Sequence, residues 1–233
     1  MADPASSALA PPQLFSAPPG TGGEAGLNDA EKARLMAMKD SGRRATYAAA
    51  RQLWRQGARQ FTRRHGLACP DFDRLPAGGA ITPPDAGFRS SLCHTDRLVL
   101  TAFSQGPVGV DAEPVDRRPP WQTLARRWFT GPETDWLQAQ AQPEDAFLML
   151  WTLKEAWIKA TARGIAGNLQ ALAFDPENGQ LLLDRPDPAW RVATTTVQGH
   201  RVCVVWQGSA MPEWRHNEAI CDAHWHLHRV GSA

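Results

Sequence analysis

The chain has 233 residues, enough for one sizeable core or for two small lobes that share one. Its 25 basic and 24 acidic residues leave a formal net charge of +1, which excludes a general attraction to nucleic acid or to an anionic membrane, so any phosphate binding must be local. Cys69, Cys93, Cys203 and Cys221 form no Cys-x-x-Cys pair, which excludes a zinc ribbon or a redox motif and fits a reducing cytoplasm.

Residues 1–26 are rich in Ala, Pro, Ser and Gly, lack the basic start and apolar run of a secretory signal, and are expected to form a disordered leader. No later stretch approaches membrane-spanning length, so the protein reads as soluble. Order is expected from Leu27, because Asn28 followed by Glu31 has the form of a capping box with a helix behind it to Met38. A second helix is predicted after Asp40-Ser41-Gly42, with Tyr47, Leu53, Trp54, Ala58 and Phe61 inward and Arg43, Arg44, Arg51 and Arg55 near its start and along its flank. Proline and glycine punctuate residues 66–87 as loop. Leu98 to Phe103 and Val108 to Glu113 are read as a hairpin turning at Ser104-Gln105-Gly106-Pro107. Helices are predicted at about Trp121 to Phe129, from Thr130, and from about Glu144 to Arg163, closed by Gly164. Strands follow at Leu181 to Leu183, Trp190 to Val197 and His200 to Trp206, the last two joined across Gln198-Gly199. Helices mixed with antiparallel hairpins make the fold class α+β.

Two stretches carry chemistry. In Gly109-Val110-Asp111-Ala112-Glu113 the two carboxylates lie two residues apart on a strand and so share a face, a plausible half of a site for a hard cation that takes oxygen ligands. Such a pair also occurs at solvated strand ends. In Trp151-Thr152-Leu153-Lys154-Glu155-Ala156-Trp157-Ile158-Lys159, the spacing puts Trp151, Glu155 and Lys159 along one helical stripe, a carboxylate and a cation facing one place. Read alone, Glu155 and Lys159 could equally be a surface pair worth about 0.2–0.5 kcal/mol.

Together and in this order, with His94 in Ser91-Leu92-Cys93-His94-Thr95 upstream, these stretches resemble the 4'-phosphopantetheinyl transferase superfamily, in its larger, Sfp-type group. The family pattern is a Ser-His segment, then Gly-(Val/Ile)-Asp-x-Glu, then Trp-x-x-Lys-Glu-(Ala/Ser)-x-x-Lys, and the likeness extends loosely from Leu27 to Trp206. It implies a monomer of two similar α+β lobes related by a pseudo-two-fold axis: an N-terminal lobe over 27–110, a C-terminal lobe over 111–212 with the metal site at the lobe interface, and a tail over 213–233. The implied reaction is transfer of the 4'-phosphopantetheine arm of coenzyme A to a serine of an apo acyl or peptidyl carrier protein. Asp111, Glu113 and Glu155 would hold Mg2+; Lys159 would contact the pyrophosphate and protonate the departing 3',5'-ADP; His94 and Arg51 would hold the 3'-phosphate end. Cys93 stands where many relatives carry a serine, and a thiol is the poorer donor. Glu133 falls where the family places the base for the carrier serine, and it also completes a capping box with Thr130; the two roles are both open.

Two other readings stand beside this one. A binding module of the same fold would hold coenzyme A or a carrier without turnover. The tail cluster Cys221, His224, His226 and His228 has ligands suited to a transition metal, although the three histidines also alternate as a strand would.

Overall fold

A computed structural model of the chain describes residues 9–79, 81–164, 169–184, 189–215 and 224–232. In chain order the elements are β1 (Gln13–Ala17), α1 (Asp29–Ala37), α2 (Ser41–His65), β2 (Arg89–His94), β3 (Val99–Ser104), β4 (Val108–Pro114), α3 (Trp121–Trp128), α4 (Gly131–Gln138) and α5 (Pro143–Thr161). Then follow β5 (Leu172–Asp175), β6 (Gln180–Leu183), β7 (Trp190–Val197), β8 (His200–Gln207), β9 (Glu213–Arg215), β10 (His226–His228) and β11 (Val230–Ser232). The class is α+β, as the mixture of patterns predicts. No helix among the described residues is long and apolar enough to cross a membrane.

The chain divides into two compact units, Met1–Val108 with Ala210–Cys221 and Gly109–Ser209 with Asp222–Ala233. In the first, a sheet in the order β2-β3-β1-β9 is covered by α2, whose Ala49, Leu53, Trp54, Ala58 and Phe61 bury against Phe15 and Phe103 of β1 and β3. Asn28 and Glu31 cap α1 reciprocally, each side chain accepting the other's backbone N–H at 2.9 Å. Asp40 caps the start of α2, and Gly66, at φ 65°, ends it in the left-handed conformation that glycine adopts without strain.

Two expectations are corrected here. The leader, read as disordered to residue 26, contains β1, which lies between β3 and β9; Leu14 and Phe15 are completely buried, and two such residues outweigh the Ala/Pro/Gly composition around them. The predicted β3–β4 hairpin does not form. All six residues of β3 are buried, and it pairs with β2 on one side and β1 on the other, so no edge is left for β4, which joins β8 in a different sheet. The hairpin that does form is β2–β3, closed by Thr95, whose Oγ1 accepts the N–H of Arg97 and of Leu98.

The second unit has a sheet in the order β10-β7-β8-β4 and a small sheet β11-β6-β5. α5 packs on β8, and Phe147, Leu150, Leu153 and Trp157 of the helix share a core with Val192, Cys203 and Val205 of the sheet. The tail therefore supplies strands: β9 pairs with β1, β10 with β7, and β11 with β6.

Candidate functional site

The second unit brings four of the sequence-predicted residues together. β4 carries Asp111 and Glu113, and α5 carries Glu155 and Lys159. Strand and helix meet at Gly109, where an added Cβ would sit 1.9 Å from the carbonyl oxygen of Ala156 and 2.5 Å from the backbone nitrogen of Ala160. Only a residue without a side chain permits that approach, and it is what lets the acidic face of β4 reach the Glu155–Lys159 stripe.

Lys159 Nζ donates to Asp111 Oδ1 at 2.7 Å and to the carbonyl oxygen of Val110 at 3.2 Å. The other oxygen, Asp111 Oδ2, is buried and has no hydrogen-bond partner. Glu113 pairs with Arg117, four residues on. All three carboxyls are pushed above the usual carboxylate range. Burial is the main cause for each, and for Glu155 the negative charge of Asp111 comes next, then the opposing charge of Lys159, then the charge of Glu113. They are thus within electrostatic reach of one another. Among the described residues, however, no three His, Cys, Asp or Glu side chains are closed around a point as a finished metal cage. The donor set nonetheless fits a hard divalent cation: it consists of oxygens, one of them buried and unpaired, and a cation would relieve the mutual repulsion.

Glu133 stands apart from this cluster in both burial and partners. Its side chain is fully buried: it accepts the N–H of Thr130 and of Phe174, each at 2.8 Å, and pairs with Lys154 Nζ at 2.9 Å. Lys154 also donates to the carbonyl oxygens of Leu169 and Leu172, and burial lowers its pKa against the raising effect of Glu133. The structure gives Glu133 a structural role: its buried carboxylate joins α4, β5 and α5. Glu133→Ala should therefore cost about 3–5 kcal/mol in urea unfolding, because it strands the Lys154 ammonium in the core, and the double variant with Lys154→Met should recover part of that loss. A catalytic base would show the opposite pattern, with stability kept and activity lost.

In the first unit, His94 ends β2 and is exposed on the wall of a cleft of about 580 Å³ that Arg34, Arg43, Thr46 and Tyr47 also line. Arg51, read as a phosphate contact, is not among them. Its side chain is buried, its Nε pairs with Glu31 and its guanidinium donates to the carbonyl oxygen of Pro76. Arg55 pairs with the same carboxylate. Burial would raise the Glu31 pKa, but the hydrogen bonds from Arg55 and the Asn28 N–H and the charge of Arg51 outweigh it and hold it below the usual range. The correction follows from helical phase, since Arg51 and Arg55 share the inner face of α2 with Ala48 and Ala58. Sequence reasoning missed Arg34, in the last turn of α1; its only signal was a cation placed near a helix C-terminus.

Of the tail cluster, Cys221 lies outside the described residues. His226 and His228 lie edge to face with ring centroids 4.7 Å apart, and His228 Nε2 lies 2.9 Å from Thr194 Oγ1. Burial, and then His226, lower the His228 pKa to about 4.

Residues 107–205, which include Asp111, Glu113, Glu133, Glu155 and Lys159, match the model of the 4'-phosphopantetheinyl transferase superfamily. The chain is 29% identical over 177 residues to 4'-phosphopantetheinyl transferase Sfp of Bacillus subtilis (strain 168), covering 74% of this chain and 66% of that protein. It is 37% identical over 119 residues to 4'-phosphopantetheinyl transferase psf-1 of Bacillus pumilus, covering 50% of each. The chain thus spans between half and just under two thirds of the length of these relatives. Among solved structures it is similar to the Thermotoga maritima holo-[acyl-carrier-protein] synthase, at 21% identity and a TM-score of 0.36 over 45% of this chain and 64% of that one.

Proposed function

We propose that the chain is a member of the 4'-phosphopantetheinyl transferase superfamily, to whose model and relatives it is similar, and that it is an enzyme that transfers the 4'-phosphopantetheine arm of coenzyme A to a serine of an apo carrier protein, releasing 3',5'-ADP. The observation that carries this reading is the convergence of Asp111 and Glu113 on β4 with Glu155 and Lys159 on α5. Phosphoryl transfer asks little covalent chemistry of a protein; it asks for positioning and for charges matched to the transferring group.

In this reading Asp111, Glu113 and Glu155 would hold Mg2+, which supplies charge neutralisation at the pyrophosphate of coenzyme A. Lys159 lies beside the same oxygens and donates its proton to the departing 3',5'-ADP as the serine oxygen bonds to the β-phosphorus, the bond from that phosphorus to the 3',5'-ADP oxygen breaks, and the serine proton passes to water. By itself, the cleft of the first unit that His94, Arg34 and Arg43 line offers guanidinium groups that match phosphate oxygens through paired donors. Glu133 serves the fold rather than the serine proton. We take the protein to be cytoplasmic and to act as a monomer.

Mass spectrometry of an apo carrier incubated with the protein, coenzyme A and Mg2+ tests this directly. The carrier should gain one phosphopantetheine group, and EDTA should prevent the gain. A carrier mass that stays unchanged across a panel of apo carriers, with coenzyme A nonetheless bound, would favour the non-catalytic binding module instead.

A further inference from the structure

Lys159 is a cation set among acids. It reaches in from α5, with its side chain 29% exposed, and contacts one oxygen of Asp111, whose side chain is 10% exposed and whose second oxygen has no partner. Glu113 and Glu155 lie within electrostatic reach, and Arg117 holds Glu113 from the rim. Three buried or half-buried carboxylates without a counter-ion would repel one another strongly at low dielectric. Once these carboxyls are ionised, a positive charge at this point stabilises the fold.

Resting on the metal reading above, we propose that Lys159 is a place-holder: in the metal-free protein its ammonium occupies the coordination position at Asp111, and a divalent cation displaces it outward, where it meets the substrate's pyrophosphate. One side chain then does two jobs in sequence, as counter-ion before loading and as phosphate contact afterwards. Release of Lys159 and occupation of the carboxylates become one event. Binding of the ion is correspondingly weakened by the cost of breaking the Asp111–Lys159 contact.

The chain's four lysines make the displacement measurable. Lys39 is exposed and serves as an internal reference, while Lys154 is buried and reports any unfolding. Brief acetylation of the wild-type protein in EDTA or in Mg2+, without coenzyme A, is followed by peptide mass spectrometry. Labelling of Lys159 relative to Lys39 should rise at least about threefold on adding Mg2+, while Lys154 stays unlabelled, as expected for an ammonium freed from a partly buried ion pair. As a second measurement, Lys159→Met should bind Mn2+ about 5- to 10-fold more tightly than wild type in the absence of coenzyme A, since one competing unit charge is gone. Unchanged or reduced Lys159 labelling in protein that demonstrably binds the ion overturns the place-holder role, even if the metal reading stands. Absence of any divalent-ion binding at millimolar concentration overturns both together.

Discussion

Glu155→Gln should reduce phosphopantetheine transfer by at least about 10²–10³-fold, the order expected when one preorganised charge-stabilising group is lost, while making the metal-free protein more stable at neutral pH. The second half follows from the carboxyl's surroundings. Burial, then the charge of Asp111, raise the Glu155 pKa above its ordinary value, so the folded metal-free protein holds that proton to higher pH than the unfolded chain does. Between the two values the folded state binds more protons, and stability falls as pH rises. The favourable contribution is complete below the ordinary carboxylate range and is lost as pH climbs through the raised value. A glutamine carries no charge at any pH and escapes that loss. Urea unfolding in EDTA should therefore show the variant and wild type alike at about pH 4 and the variant ahead at about pH 7.5, a difference set by linkage to this proton. Transfer within tenfold of wild type, or a stability difference independent of pH, would remove Glu155 from the acidic site.

Gly109→Val should collapse the second unit. The first carbon of the side chain already lands 1.9 Å from a backbone oxygen of α5, and a backbone cannot rotate aside as a side chain can. Strand and helix must separate, at a cost of about 3 kcal/mol or more. For a chain of this size that corresponds to a fall in melting temperature of roughly 10 °C, readable by scanning calorimetry. Any protein that survives folded should also lose transfer, because β4 retreats from α5 and takes Asp111 and Glu113 with it. A valine variant with wild-type melting and activity would mean that β4 and α5 do not touch at this point.

The chemistry was more legible than the topology. Asp111 and Glu113 could be put on one strand face, and Glu155 and Lys159 on one helical stripe, because strand and helix periodicities are local properties. That the two elements meet at Gly109 is a tertiary fact, and the glycine in the motif was its only local trace. Arg51 illustrates the same limit from the other side: its residue type suits phosphate, but it lies one turn beyond the cleft-lining Tyr47, where α2 is buried, and Glu31, twenty residues earlier, claims it. The capping signature around Thr130 marked a helix start correctly, yet did not reveal that the same glutamate also receives Lys154. β1 was concealed by composition. Strands as short as Gln13–Ala17 and Glu213–Arg215 have too few residues for an alternating pattern to stand out, and they form because a partner strand already offers its edge.

β1 pairs in parallel with β9, joining Gln13 to Glu213 across two hundred residues, and the whole of Gly109–Ser209 lies between them in the chain. During synthesis the first unit can assemble α2, β1, β2 and β3 early, but its fourth strand does not exist until the second unit's long segment has been made. Until then β1 carries an unpaired edge, open to any extended chain nearby. Assembly thus has an imposed order: the nested unit emerges before the enclosing one can be sealed, and closure of the largest loop comes late and slowly. A cell that makes this protein must protect a half-finished sheet for the time needed to translate about a hundred further residues, an interval of several seconds at ordinary elongation rates.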